Sequence, residues 1–168
     1  MAGNLLRIAN SALYCGQLKI VSLQQAVTRL GLANLREIVT SIAVQGRVFK
    51  GGPFQAECKR IWAHSAASAA YAKEIARLKR RNVESAFLCG LLHDVGKPIL
   101  LMALNEIQEA AGVRLGLESA HALVAECHGR VAKILAERWS LPEEVGEAIA
   151  HHHDPQAAQT HQYVVQIT

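Results

Sequence analysis

The sequence has few aromatic residues and no paired cysteines. Aromatic side chains make up 5% of the 168 residues, and alanine and leucine dominate instead, which favours packed helices over a sheet sandwich. The four cysteines, Cys15, Cys58, Cys89 and Cys127, are scattered without a CxxC pair. Neither a zinc ribbon nor a secreted disulfide framework is therefore expected, and the pattern is typical of a protein of the reducing cytoplasm.

Long apolar runs and signal-peptide features are also missing. No basic stretch followed by an apolar one opens the chain, and the longest uninterrupted apolar run, residues 99–104, is far shorter than the ~20 residues that span a bilayer. We therefore expect a soluble protein with no membrane partner. The net charge of +4 is mild and no run of lysines and arginines alternates with aromatics, so no DNA binding is indicated.

The chain is long enough for a single domain with one sizeable core, and its apolar spacing predicts an all-α fold. Ser22 has the position of an N-cap and Gly31 that of a helix stop. We expect Gly96 to end a helix, and Ser140 to open the last one through a capping box with Glu143. The predicted helices cover residues 5–14, 22–31, 32–49, 54–78, 82–96, a segment from residue 98, then 119–139 and 140–153.

The stretch LLHDVGKPIL, residues 91–100, places His93 and Asp94 among apolar residues. Buried polar and charged side chains must be paired or coordinated, because an unpartnered one costs several kcal/mol. Adjacent residues of a helix point about 100° apart, so these two can reach one ion only if other helices close the site around it. The further candidates in apolar helical contexts are His64, His128, His152 and His153.

Electrostatics also favours a cation beside Asp94. We expect this residue near the negative C-terminal end of a helix, where an anion is unfavourable unless a metal or Lys97 lies next to it. Imidazole and carboxylate ligands suit a transition ion such as Mn, Fe or Zn better than Mg or Ca. Such a site could aim a water at a phosphoryl group, with Asp94 and Lys97 as catalytic candidates. The alternative is a scaffold whose histidines are hydrogen-bonded core residues without metal.

A series of stretches resembles the HDOD family of bacterial signalling domains, relatives of the HD and HD-GYP phosphohydrolases. They span residues 4–155 in the family order and read LLRIANSALY, AVTRLGLANLREIV, IWAHSAASAA, AFLCGLLHDVGKPIL, CHGRVAKILAERWSLPEEV and AIAHHHDP. The resemblance implies an HD-type helical bundle. It also implies that the following residues lie where HD-GYP relatives place metal ligands: His64, His93, Asp94, His128, His152 and His153.

The chain departs from the HD-GYP pattern in two ways. No Gly-Tyr-Pro follows the double histidine, and the chain stops at Thr168, about where HD families place a closing aspartate. The resemblance also implies helices upstream of Asn10, so residues 1–168 are expected to form a single HDOD-like domain without the N-terminal helices of the family. Loss of that layer would leave Leu5, Leu6 and Ile8 on an exposed apolar patch, which a homodimer would cover.

The family resemblance implies a role in bacterial signal transduction. The leading hypothesis is a cytoplasmic regulatory domain that interacts with a signalling protein and can hold a transition metal. The alternative is a metal-dependent phosphohydrolase of the HD superfamily acting on a nucleotide or cyclic dinucleotide. The two departures from the HD-GYP pattern favour the first hypothesis, and so an enzymatic activity is not the leading expectation.

Overall fold

The computed structural model describes residues 2–11, 14, 19–49, 52–158, 160 and 166. These residues form seven α-helices and two short 3-10 helices, Gly52–Phe54 and Pro155–Ala157, and contain no strand. The predicted all-α fold is confirmed. The α-helices are α1 Ala2–Ala9, α2 Leu23–Val48, α3 Gln55–Leu78, α4 Val83–Leu92, α5 Gly96–Ala111, α6 Leu117–Arg138 and α7 Glu143–His151.

The residues cluster into two compact units, Met1–Arg47 and Val48–Thr168. The single domain expected from the length of the chain stays a prediction. The first unit contains α1 and most of α2, and its helix ends follow the sequence signals. Ser22 Oγ accepts a hydrogen bond of 3.2 Å from the backbone N–H of Gln25, as an N-cap does. Gly31, with φ +75°, interrupts α2 at the predicted position.

An apolar cluster joins α1 to α2 within the first unit. Its buried members are Leu5, Ala9, Ile20, Ala26 and Leu30, and Leu6, Tyr14, Leu35 and Ile38 pack against them. The prediction that Leu5 lies on an exposed patch is therefore wrong, because the apolar side of α1 is covered by α2. The homodimer stays a prediction, but the exposed patch no longer supports it.

α1 ends earlier than the predicted helix over residues 5–14. It ends at Ala9, and the side chain of Asn10 pairs with the backbone of Ile20 through two hydrogen bonds of 2.8 Å. An asparagine that bonds to backbone groups in this way competes with helix propagation. Residues 12 and 13 of the predicted helix lie outside the described residues.

The second unit is an arrangement of five helices that carries the His and Asp residues. α4 packs against α3 and α7, α5 packs against α6, and α6 packs against α7. Asn82 caps α4, since its Oδ1 accepts a hydrogen bond of 3.1 Å from the N–H of Ser85. The largest fully buried apolar side chains here are Leu91, Leu92, Val95, Val145 and Ile149.

Two further predicted helix boundaries, in the second unit, are wrong. Gly96 begins α5 rather than ending a helix, and a Cβ at this position would lie 2.0 Å from the carbonyl oxygen of His128. Ser140 does not cap α7, which begins at Glu143 with Pro142 as its N-cap residue. Proline disfavours helical backbone in the residue before it. Ser140 instead lies in the turn that closes α6, with φ +52°.

The stretch Val83–Ala111 is long and apolar enough to cross a membrane by length and composition alone. However, 56% of its most apolar window is buried inside the protein, where α4 and α5 pack against α3, α6 and α7. Core helices of soluble proteins have the same composition. The composition of this stretch is therefore only weak evidence for a membrane span.

Candidate metal centre

The six side chains expected to bind metal converge in the second unit. They form two groups that share Asp94, and within each group the ligand atoms lie within 4.8 Å of one another. We call these six residues the His/Asp cluster. Its members are His64 in α3, His93 and Asp94 in the turn between α4 and α5, His128 in α6, and His152 and His153 in the turn after α7.

The His/Asp cluster is buried at its base and open on one side. His93, Asp94 and His128 are 4%, 2% and 1% exposed, whereas His64 and His153 are exposed. The three buried residues lie in or beside the apolar stretches that place them in the core. The cluster is therefore a partly buried site that a small ligand can approach from the side of His64 and His153.

Backbone hydrogen bonds orient three of the imidazole rings. In His93, His128 and His152, Nδ1 lies 2.9, 2.7 and 2.9 Å from the carbonyl oxygen three residues earlier. A carbonyl oxygen only accepts hydrogen bonds, so Nδ1 carries the proton in each neutral ring and Nε2 presents a lone pair. Metal-binding histidines are commonly oriented by such an outer hydrogen bond.

The lone pairs of these rings face one another at short range. His128 Nε2 lies 3.2 Å from His152 Nε2 and 3.1 Å from His153 Nε2. Because the protons of His128 and His152 are committed to Nδ1, their Nε2 atoms cannot hydrogen-bond to each other. A cation between these two rings would relieve the contact. A metal ion supplies that cation at neutral pH.

Asp94 is the carboxylate of the cluster and has an incompletely satisfied oxygen. Its Oδ1 lies 2.7 Å from Lys97 Nζ and 3.5 Å from His128 Nε2, yet this buried atom accepts no well-directed hydrogen bond. The ion pair with Lys97 offsets the charge of this oxygen, and the oxygen still has a lone pair that a ligand could use. The donor set, the facing lone pairs and this oxygen together fit a transition-metal ion.

The expected position of Asp94 at a negative helix end is only partly correct. α4 ends at Leu92 and α5 begins at Gly96, so Asp94 lies between the negative end of one helix and the positive end of the next. The two helix dipoles therefore oppose each other at this carboxylate. Lys97 supplies the neighbouring cation that the sequence suggested, because its Nζ lies 2.7 Å from both Asp94 oxygens.

The surroundings lower the pKa values of Asp94 and of two imidazoles, His128 and His153. Burial alone would raise the pKa of the Asp94 carboxyl, but its contacts with His152, His93 and Lys97 lower that pKa well below its usual range. Burial, helped by the charge of Lys97, lowers the pKa of His128. Burial and the nearby His152 lower the pKa of His153. Carboxylate and neutral imidazole are the forms that bind metal.

These directions predict that the metal-free protein loses stability on acidification. The folded pKa values of His128 and His153 lie below those of the unfolded chain, so the unfolded state binds more protons as the pH falls through about 6.5. Because the pKa of Asp94 is lowered, its carboxylate stays charged over this pH range. Its contribution to the free energy of unfolding therefore does not change. We expect the free energy of unfolding to be lower at about pH 5 than at about pH 7.5.

Urea unfolding in the presence of a chelator, followed by circular dichroism, measures this pH dependence. The control is His128→Gln, which removes the more deeply buried of the two imidazoles and should make the dependence shallower. Equal free energies of unfolding at the two pH values in the wild-type protein would contradict the prediction.

A contact that the sequence did not predict, between His121 and Glu57, lies beside the cluster. His121 Nε2 lies 3.4 Å from Glu57 Oε1. The seven-residue spacing of His121 and His128 puts both on nearly one face of α6, but it gives His121 no partner in α3. The two residues border a cavity of about 260 Å³, whose lining is completed by Ile61, Lys97, Leu101, Val124 and Ala125.

Comparison with known proteins identifies the family. The family model of the HDOD domain matches residues 1–155. The chain belongs to the HDOD domain family. The resemblance drawn from LLHDVGKPIL and the other stretches is thereby confirmed, and with it a relationship to the HD phosphohydrolase superfamily.

Two crystal structures resemble this HDOD domain. One is an HDOD domain protein of unknown function from Geobacter sulfurreducens, with a TM-score of 0.72 and 30% identity over 99% of this chain and 58% of that chain. The other, from Shewanella amazonensis SB2B, is named as a metal-dependent phosphohydrolase and has a TM-score of 0.70 and 23% identity over 98% of this chain and 61% of that chain. These likenesses confirm the HD-type helical fold.

Two curated proteins are also similar in sequence. An uncharacterized protein of Treponema pallidum (strain Nichols) is 29% identical over 161 residues, which are 90% of this chain and 30% of that protein. Ribonuclease Y of Thermus thermophilus is 37% identical over 71 residues, which are 42% of this chain and 9% of that protein. The HDOD domain thus spans about a third or less of the length of these relatives.

Proposed function

We propose that this HDOD domain is a regulatory signalling domain that binds a transition-metal ion at the His/Asp cluster. The facing lone pairs of His128 and His152 carry the metal proposal, because their Nε2 atoms lie 3.2 Å apart while both ring protons are held at Nδ1, and a cation between them relieves that contact. An imidazole-rich donor set with one carboxylate suits Zn, Fe or Mn rather than Mg or Ca.

The charge of the cluster favours a single ion. Asp94 is the only carboxylate among the described residues that form the two ligand groups. Two divalent ions would bring far more positive charge than one carboxylate neutralises, and Lys97 already adds a cation 2.7 Å from it. Unbalanced charge in a largely buried site is costly. One ion balances the site better than two.

The engagement of Lys97 supports a regulatory role over a catalytic one. Its Nζ is held between both oxygens of Asp94, so it is not directed at a phosphate in this conformation. The segment after His153 reads Asp-Pro-Gln-Ala-Ala and offers no Gly-Tyr-Pro to cover a substrate. In this proposal the domain works in the cytoplasm and acts by contacting another signalling protein, with a homodimer as a further prediction.

A second candidate is a metal-dependent phosphohydrolase acting on a nucleotide or cyclic dinucleotide. The observation that favours it is the cavity of about 260 Å³ between α3, α5 and α6, which Lys97 lines from the side of the cluster. The exposed His64 also leaves the cluster accessible. A bound ion would supply Lewis acidity to a phosphoryl oxygen. Lys97 would then have to leave Asp94 to contact that group.

Hydrolysis assays separate the two candidates. We expect no turnover above background of cyclic dinucleotides, nucleotides or simple phosphate esters with Mn, Fe or Zn present, because the site has one carboxylate and its lysine is engaged. Product formation by chromatography measures this. The regulatory proposal would be overturned by a metal-dependent rate well above background that disappears in Asp94→Ala while the circular dichroism spectrum stays unchanged.

A further inference from the structure

Three glycines in the second unit allow unusually close contacts between helix backbones. They are Gly90 in α4, Gly96 at the start of α5 and Gly129 in α6. Each lies within three residues of a member of the His/Asp cluster. Alanine is the better helix former, so glycine within a helix needs a compensating reason, and close backbone approach is one.

Gly96 and Gly129 connect the three elements that carry the buried end of the cluster. A Cβ on Gly96 would lie 2.0 Å from the carbonyl oxygen of His128, and a Cβ on Gly129 would lie 2.9 Å from the carbonyl oxygen of Ala150. Real Cβ atoms essentially never approach a heavy atom within 3.0 Å. The first contact therefore joins α5 directly to a cluster residue, and the second joins α6 to α7 two residues before His152.

Gly90 makes the corresponding contact between α3 and α4. A Cβ there would lie 2.7 Å from both the backbone nitrogen and the Cα of Ala69. The carbonyl oxygen of the same glycine accepts the hydrogen bond from Nδ1 of His93. The position of this backbone segment thus affects both the packing of two helices and the orientation of a cluster imidazole.

The other glycines for which the structure describes the surroundings show no such contact. A Cβ on Gly146, in α7, would meet Ala136 Cβ at 3.8 Å, which is ordinary van der Waals contact. On the remaining ones it would meet nothing within 4 Å: Gly3, Gly31, Gly46, Gly112 and Gly116. Within this set, the contacts too close for a side chain occur beside the cluster residues.

We infer that Gly96 and Gly129 are positioning residues of the metal centre. They hold α5, α6 and α7 at backbone contact, which brings Asp94, His128 and His152 to the separation that one ion requires. Metal–ligand distances tolerate only about 0.2 Å, so the shift needed to relieve a Cβ clash would move a ligand out of range. The inference rests on the proposed metal binding.

Gly129→Ala is the principal test, with Gly146→Ala as its matched control. Both substitutions place an alanine within a helix, and only the first would create a close contact. We expect Gly129→Ala to keep the helical circular dichroism spectrum but bind Zn or Co at least about tenfold more weakly, the lower end of the loss seen when outer-shell partners are removed. Gly146→Ala should bind like the wild type.

Isothermal titration calorimetry with Zn and the visible spectrum of the Co-loaded protein provide the two measurements. A purely structural role would lower the melting temperature of Gly129→Ala without changing the Co spectrum, whereas a positioning role changes both the affinity and the spectrum. Gly96→Ala, with its closer contact, should show a larger loss than Gly129→Ala.

The outcomes distinguish this inference from the proposed function. If the wild-type protein binds no metal, the proposed function fails and the inference fails with it. If the wild type binds and Gly129→Ala has the same affinity and Co spectrum, only the inference is overturned. Loss of the helical spectrum in metal-free Gly129→Ala would also overturn it, because the glycine would then be required for the fold rather than for the site.

Discussion

Replacing Asp94 with asparagine is expected to weaken transition-metal binding by more than the roughly 10–100-fold that loss of an outer-shell partner typically causes. Asp94 is the residue shared by both ligand groups, and it is the only carboxylate that the described residues contribute to them. Asparagine has nearly the same shape but no negative charge, so the ion would lose both a ligand and its counter-charge. Calorimetric titration with Zn measures the loss.

The matched control is Glu106→Gln, which removes a negative charge from an exposed position of α5. It should bind metal like the wild type. His93→Ala combined with Asp94→Ala should abolish binding. Retention of wild-type affinity in Asp94→Asn, with elemental analysis showing the same metal content, would rule out the His/Asp cluster as the binding site.

Leu91→Ala is expected to lower the free energy of unfolding by about 2–5 kcal/mol. Leu91 is 0% exposed and heads the set of large, fully buried side chains. The substitution removes apolar contacts and leaves a cavity that the packed helices can fill only in part. Urea unfolding of the metal-free protein measures the change without a contribution from ligand binding.

The control for this prediction is Leu78→Ala, at a position that is 78% exposed near the end of α3. A surface substitution of this kind usually changes stability by less than about 0.5 kcal/mol. Equal free energies of unfolding for the two variants would contradict the burial of Leu91.

Much of the His/Asp cluster could be predicted because each member has an unusual local context. His93 and Asp94 lie in an apolar stretch where polar side chains are unfavourable unless they have partners, and His128 lies on an apolar helix face. The convergence of the six side chains followed from that requirement. The pairing of His121 with Glu57 could not be predicted, because contacts near the surface between separate helices leave little trace in sequence.

The two boundary errors at Gly96 and Ser140 have a common origin. Glycine commonly ends a helix and serine commonly caps one, so local sequence favoured these two roles. In the structure neither residue has the predicted role. A glycine is needed at position 96 because a side chain there would clash with the carbonyl oxygen of His128, a group 32 positions away in the sequence. At Ser140, Pro142 prevents the helix from starting before Glu143. The proline effect is local and could have been recognised, whereas the glycine contact could not.

The sequence by itself determined the all-α fold, most helix ends and the identity of the residues that need buried partners, because helical periodicity, capping and desolvation act over short stretches of chain. The tertiary structure alone decided that the Nε2 atoms of His152 and His153 lie 3.2 and 3.1 Å from Nε2 of His128. It also decided that Lys97 occupies both oxygens of Asp94. These distances depend on how closely α5, α6 and α7 approach, and that approach is set by backbone contacts between residues far apart in the sequence.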